Sequence, residues 1–364
     1  MSIRPLTATA AGALLGISAL FLTAAPTAAA SERPARQTPE PVVDFSGFPS
    51  GLFNEDPDPE SQSQPRPQSK PQSNPQSKPQ SKPQSQSLSA SQSPSDVRKP
   101  HKAPLTVAHR GASGYAPENT LAAVDKAHEL GIEWVENDVQ RTKDGKLIVI
   151  HDTTLSRTTD VEKHFPDRSP WKVSDFTLKE IRTLDAGSWF GSQYKGEKIP
   201  TLDEFLGRLD RNGQELLLEL KSPGLYPGIE RDTLDELRQQ GWLDRRHTRS
   251  KLIIQSFDKA SIEQVHRQSP EVKTGFLGTP KTGDLKEYAK FTDQINPTYT
   301  DATKEYVDAV HALKGPHNKP LEVFTWTVND ADTARKVADA GVDGIISNKP
   351  DVVSDAVQQT APTR

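Results

Sequence analysis

Residues 104–356 predict an α/β fold, a (β/α)8 barrel of the TIM type with a small inserted subdomain, preceded by a disordered tether. Three observations carry that expectation. From Pro104 onward, short apolar runs alternate with amphipathic stretches, the rhythm of parallel strands joined by helices. The rhythm continues for roughly the 250 residues that one such barrel needs. Finally, the charged and imidazole side chains gather where the apolar runs end, which is where barrels of this kind build their sites.

The chain starts with a segment that reads as an export signal. Arg4 precedes an apolar run from Ala10 to Ala25, which stops at Pro26. Ala28 and Ala30 then supply a small-x-small pattern, so cleavage is expected after Ala30, giving a secreted or cell-wall-associated protein. Residues 31–103 follow as a linker. From Pro67 the unit Pro-Gln-Ser-Lys or Pro-Gln-Ser-Asn repeats, and it holds almost nothing apolar to offset the entropy of ordering it. Regular prolines favour an extended, semi-rigid spacer. Arg66, Lys70, Lys78 and Lys82 give the spacer positive charge without acidic neighbours, which suits contact with an anionic wall polymer or simple solvation. Residues 357–364 read as a tail.

Strands are expected at Leu105–Ala108, Glu133–Val139, Leu147–Ile150, Glu215–Leu220, Lys251–Gln255, Val272–Phe276, Phe291–Ile295, Glu322–Trp326 and Asp343–Ser347. Helices are expected between most of them, among others at Asn119–Leu130, Thr201–Arg211, Ile229–Gln240, Lys259–Gln268 and Ala331–Ala340. These runs outnumber the places in an eight-stranded barrel by one. The connection Thr142-Lys143-Asp144-Gly145 is too short for a helical crossover, and Asp-Gly is a hairpin signal. Leu147–Ile150 is therefore the antiparallel partner of the strand before it. The turn-rich stretch from about Asp152 to Pro200 is an excursion from the barrel.

Composition narrows the chemistry. A formal charge of −4 without a long basic block argues against nucleic acid as a partner. The absence of cysteine rules out disulfides, thiolate nucleophiles and Cys-bound zinc. At the end of the second run, period-two alternation sends Glu136 and Asp138 to one face, and Glu219 and Lys221 share a face two runs later. Three inward carboxylates repel one another unless a proton or cation intervenes, and their oxygen donors suit one hard divalent cation, Ca²⁺ or Mg²⁺. His109 and Arg110 end the first run, and the hairpin register brings His151 to the same cavity. Two histidines suited to acid–base work, two cations and an acidic cluster read as a phosphoester site. His128, His164, His247, His266, His311 and His317 lack such surroundings and are expected at the surface.

The ordered strings Ala108-His109-Arg110-Gly111, Pro117-Glu118-Asn119-Thr120, Glu136-Asn137-Asp138-Val139, Thr142-Lys143-Asp144-Gly145 and His151-Asp152 resemble the glycerophosphodiester phosphodiesterases. The match continues through Leu155-Ser156-Arg157-Thr158-Thr159, Ile199-Pro200-Thr201-Leu202, Glu219-Leu220-Lys221, Gln255-Ser256-Phe257, Trp326-Thr327-Val328-Asn329 and Gly341-Val342-Asp343-Gly344. The resemblance implies a metal-dependent barrel enzyme that splits glycerophosphodiesters into glycerol 3-phosphate and an alcohol. It implies Glu136, Asp138 and Glu219 as metal ligands and His109 and His151 as general acid and base. By the same token Arg110 and Lys221 hold the phosphate, Trp326 lines the glycerol end, and Glu118 orients His109 or substrate or only starts a helix. Attack by water and attack by the neighbouring glycerol hydroxyl both remain open. A glycerol-phosphate polymer is the alternative substrate. Two competing readings are a phospholipase D-like lyase on the same barrel, whose exposed apolar loops are not evident in the sequence, and a catalytically silent wall-polymer binding module.

Overall fold

The computed structural model describes residues 103–358, so the expectations for the signal segment, the linker and the last residues of the tail lie outside the described part. Nine strands form one sheet: β1 (Leu105–Ala108), β2 (Trp134–Arg141), β3 (Leu147–Val149), β4 (Glu215–Leu220), β5 (Leu252–Ser256), β6 (Lys273–Leu277), β7 (Gln294–Asn296), β8 (Glu322–Thr325) and β9 (Gly344–Ser347). β1 pairs in parallel with both β9 and β2, and this double pairing closes eight parallel strands into a barrel. β3 stands apart as the antiparallel partner of β2, with Val139 opposite Val149 and Arg141 opposite Leu147. Its turn has the local chemistry expected of Asp-Gly: Gly145 adopts a φ of 79°, and the Thr142 amide donates to the Lys146 carbonyl at 2.9 Å.

Each strand is buried on two faces, as parallel barrel strands must be. One face of β2, β4 and β5 carries Val135, Val139, Leu216, Leu218, Leu220, Leu252 and Ile254, packed with the apolar stripes of the helices. The other face supplies Val107, Trp134, Leu217, Ile253, Phe324 and Ile346, which fill the barrel axis. Space there is limited: a Cβ on Gly344 would come within 2.6 Å of the Phe324 ring. The helix Leu202–Asn212 shows how the layers are locked. A capping box between Thr201 and Glu204 starts it, Leu202, Phe205, Leu206 and Leu209 form its buried stripe, and Gly213 ends it in the left-handed region at φ 73°.

Two expectations need adjustment. The run Phe291–Ile295 starts too early: β7 begins at Gln294, because the Phe291 amide donates to the Tyr288 carbonyl and its ring packs on Tyr288 at 5.7 Å. The histidines outside the site are not all at the surface. His128 and His164 are exposed, but His247, His266, His311 and His317 are half-buried, and His311 and His317 pair with Asp343 and Asp293, each at 2.8 Å. Among the described residues no helix is long and apolar enough to cross a membrane.

Residues 152–200 wrap a separate apolar cluster in which Leu155, Val161, Val173, Phe176, Ile181, Leu184 and Ile199 pack against Ile148 and Ile150 of the hairpin. Arg168 lies over the Phe176 ring, 3.7 Å from its centroid, and donates to Glu180. The excursion is therefore a small packed layer built on β3, with its own core.

Candidate active site

The end of β1 turns sharply. The His109 amide still donates to Ser347 of β9 at 2.9 Å, but Arg110 (φ 55°) and Gly111 (φ 77°) then take left-handed conformations. For Arg110 that costs on the order of 1–2 kcal/mol. The turn is held by the Arg110 amide donating to Glu136 Oε2 at 2.9 Å, and only glycine fits next, since a Cβ at 111 would lie 2.6 Å from that of Ala123. Two further strained residues flank the same end of the barrel, Asn119 (φ 58°) and Ser222 (φ 46°). Trp171 and Asn318, each at φ 58°, take the same region elsewhere, so three of the five such non-glycine residues among those described lie at this end.

Glu136, Asp138 and Glu219 converge here. Asp138 and Glu219 are register partners on β2 and β4, all three residues are buried, and one carboxylate oxygen from each lies within 4.8 Å of the others. Burial pushes Glu136 well above the usual carboxylate range, and the charges of Asp138 and Glu219 push it further. Burial likewise raises Glu219, against the pull of Lys221. Burial would raise Asp138 too, but His151, Arg110, Lys221 and a hydrogen bond from Asn119 outweigh it and hold it below the ordinary range. Glu219 Oε1 is a buried atom that lacks a hydrogen-bond partner, although the Lys221 ammonium is 3.1 Å away. A buried, all-oxygen donor set of three carboxylates, two of them held above the ordinary range, fits a hard divalent cation.

The remaining candidates surround this trio. His109 Nδ1 is 2.7 Å from Asn348 Oδ1, and His151 Nδ1 is 2.8 Å from Asp152 Oδ1. Both partners are acceptors, so each ring carries its proton on Nδ1 and directs Nε2 elsewhere. Arg110 lies 3.5 Å from Asp138 through Nε and donates from Nη1 to Glu118 at 3.2 Å. Glu118 also receives Arg157, so its carboxylate serves two guanidinium groups. The Lys221 ammonium stands 5.4 Å over the Phe257 ring, which meets Trp326 edge-on at 5.5 Å. Trp326 is fixed in turn by its indole N–H donating to the Asn296 carbonyl at 2.9 Å.

Asn119, Asp152, Arg157 and Asn348 were not assigned roles from the sequence, yet each contacts a candidate residue. Asn119 Nδ2 donates to Asp138 Oδ2 at 2.8 Å and orients that carboxylate. Three of the four sit inside the matching strings quoted above, adjacent to or between the assigned residues, which was the available signal. Asn348 follows β9 outside those strings and carried none.

Fold and cluster together define a barrel enzyme acting on phosphate esters. The chain belongs to the glycerophosphoryl diester phosphodiesterase family, whose pattern matches residues 109–352, a span containing every candidate residue above. It is 37% identical over 262 residues to a glycerophosphodiester phosphodiesterase of Bacillus subtilis (68% of this chain, 84% of the relative). It is 36% identical over 258 residues to one from Caldanaerobacter subterraneus (70% and 98%). Among solved structures it is similar to an Oleispira antarctica phosphodiesterase in complex with its product sn-glycerol-3-phosphate. That likeness has a TM-score of 0.60 and 30% identity, covering 70% of this chain and 97% of that one. The protein is thus a phosphoric diester hydrolase of the glycerophosphodiester type.

Proposed function

We propose that the enzyme hydrolyses glycerophosphodiesters to glycerol 3-phosphate and an alcohol, using one Ca²⁺ or Mg²⁺ held by Glu136, Asp138 and Glu219. The observation that carries the reading is the buried acidic trio facing two cations and two oriented imidazoles. When bound, the cation neutralises charge on the phosphate oxygens. Arg110 and Lys221 add donors on the non-bridging oxygens, and Glu118 steadies Arg110 at 3.2 Å. His109 and His151 exchange protons with the attacking and leaving oxygens, each through Nε2 while Nδ1 is held. Trp326, with Phe257 beside it, walls the glycerol end. The export signal and basic linker support work outside the cytoplasm, with a glycerol-phosphate polymer as a second substrate class reached through wall contact.

A second reading, cleavage of a lysophospholipid by the same residues, has one observation in its favour. The exposed large apolar side chains among the described residues, Trp189, Leu225 and Tyr299, sit in the excursion and in the segments that follow β4 and β7. Each is a single exposed side chain on a separate segment. One assay tests both readings. Protein spanning residues 31–364 is offered glycerophosphocholine, glycerophosphoethanolamine, a glycerol-phosphate polymer and a lysophospholipid, with and without chelator. The soluble diesters should be turned over, chelator should abolish the reaction, and added Ca²⁺ or Mg²⁺ should restore it. Full activity in excess chelator overturns the metal assignment, and turnover of the lysophospholipid alone overturns the substrate.

A further inference from the structure

We infer that Arg157 is a positioning residue for this reaction, a double fork that ties the carboxylate behind His151 to the carboxylate behind Arg110. The inference rests on the roles proposed above for His151 and Arg110. Arg157 lies in the excursion, 39 residues beyond Glu118 on the loop after β1, and joins the two segments directly. Its Nε and Nη2 donate to Asp152 Oδ2 and Oδ1 at 2.6 and 2.9 Å. Its Nη1 and Nη2 donate to Glu118 Oε2 and Oε1 at 2.8 and 2.7 Å. One planar guanidinium is therefore bidentate on both sides, a geometry an ammonium cannot reproduce.

What lies beyond each carboxylate gives the clamp its meaning. Asp152 Oδ1 holds His151 Nδ1 at 2.8 Å. Glu118 Oε1 holds Arg110 Nη1 at 3.2 Å, and Arg110 Nε reaches toward Asp138 at 3.5 Å. A single chain of charge-assisted contacts thus runs from the His151 imidazole to the acidic trio, with Arg157 at its middle. Without it, two carboxylates of like charge would be left to repel each other, and each would turn and carry its functional partner along. Burial would raise both carboxyls, but hydrogen bonds and charge from Arg157, His151 and Arg110 more than offset it and keep both ionised.

Stability alone does not account for this arrangement. The Arg157 side chain is 37% exposed, and ion pairs at that exposure are weakened by solvent screening. Geometry is another matter, because a displacement of about 1 Å at a reacting group costs on the order of 10²-fold in rate.

The test uses Arg157→Ala, Arg157→Lys, His151→Ala and the double variant Arg157→Ala/His151→Ala in the metal-loaded enzyme. Glycerophosphocholine kinetics and melting curves are recorded for each. For Arg157→Ala, kcat should fall on the order of 10²-fold. KM and melting temperature should stay near wild type, because Lys221 and the cation still hold the phosphate. Arg157→Lys should be impaired as well, since it keeps the charge and loses the forks. Added guanidinium should restore part of the Arg157→Ala rate. The double variant should be no slower than His151→Ala, as expected of groups that act as a unit. Wild-type kcat in Arg157→Ala, beside an impaired His151→Ala, overturns the positioning role and leaves the reaction scheme standing. So does a loss that guanidinium does not restore and that multiplies with the His151→Ala loss. Normal turnover in His151→Ala overturns the scheme itself, and this inference with it.

Discussion

His109 and His151 follow the ends of different strands, β1 and β3, and rest on different partners, an amide oxygen at 2.7 Å and a carboxylate at 2.8 Å. Both arrangements fix the ring and the tautomer, which an acid–base pair needs before its protonation state matters. Replacing either histidine by Ala should lower turnover on the order of 10²–10⁴-fold with a much smaller change in KM, and the wild-type rate should follow a bell-shaped pH profile. A nitrophenyl ester, whose leaving group needs no proton, should restore the variant that lacks the acid and leave the other impaired. Near-normal turnover in both variants would make the two rings structural. The convergence of the acidic trio was legible in the sequence because strand alternation sends Glu136, Asp138 and Glu219 inward, whereas His109 was read from the end of its strand and His151 from the hairpin register. Their supports were harder to read. Asn348 meets His109 across 239 residues, and only the closed barrel brings β9 beside β1.

Strand ends and helix ends show the same division. The β2–β3 hairpin was readable because Asp-Gly specifies a turn locally, whereas the start of β7 was not, because Phe291 packs on Tyr288 outside the sheet. The pair His311–Asp343 links the end of helix Lys304–His311 to the residue before β9, and Asp343 also accepts the Val323 amide of β8 at 2.8 Å. The hydrogen bond to Asp343 raises the His311 pKa above 6.5, burial opposes it, and the charges of Asp343, Asp308 and Glu322 add to the rise. A folded-state pKa above the unfolded one stabilises the protein fully below the unfolded value, and the contribution disappears as pH rises through the folded value. His311→Gln should therefore cost under about 1 kcal/mol near pH 5.5, the ceiling for a half-exposed pair, and almost nothing near pH 9. Melting curves should show a difference of about 2 °C at the lower pH that closes at the higher one. A difference that widens with pH would show that the charged pair is not what holds the helix end.

Residues 152–200 and the stretch Ser61–Ser95 differ sharply in composition, and the difference predicts opposite consequences of removal. Residues 152–200 bury Leu155, Phe176, Ile181 and Leu184 and carry Asp152 and Arg157 to the site, so the barrel and this layer stand or fall together. Ser61–Ser95 offers only Leu88 and Ala90 as apolar side chains. Burying one leucine returns about 2 kcal/mol, while fixing the backbone costs about 1–2 kcal/mol for each residue ordered. Deleting Ser61–Ser95 should leave the melting temperature unchanged and turnover of glycerophosphocholine at the wild-type value. A fall of several degrees would show that the segment packs on the folded domain. Action on an immobilised glycerol-phosphate polymer is where the deletion should tell, because Arg66, Lys70, Lys78 and Lys82 are lost with it. If those charges hold the enzyme to the polymer, the full-length protein should act faster than the deletion variant at low salt. The two should converge as salt screens the contact. Equal rates on the polymer at low salt would reduce the segment to a solvated spacer.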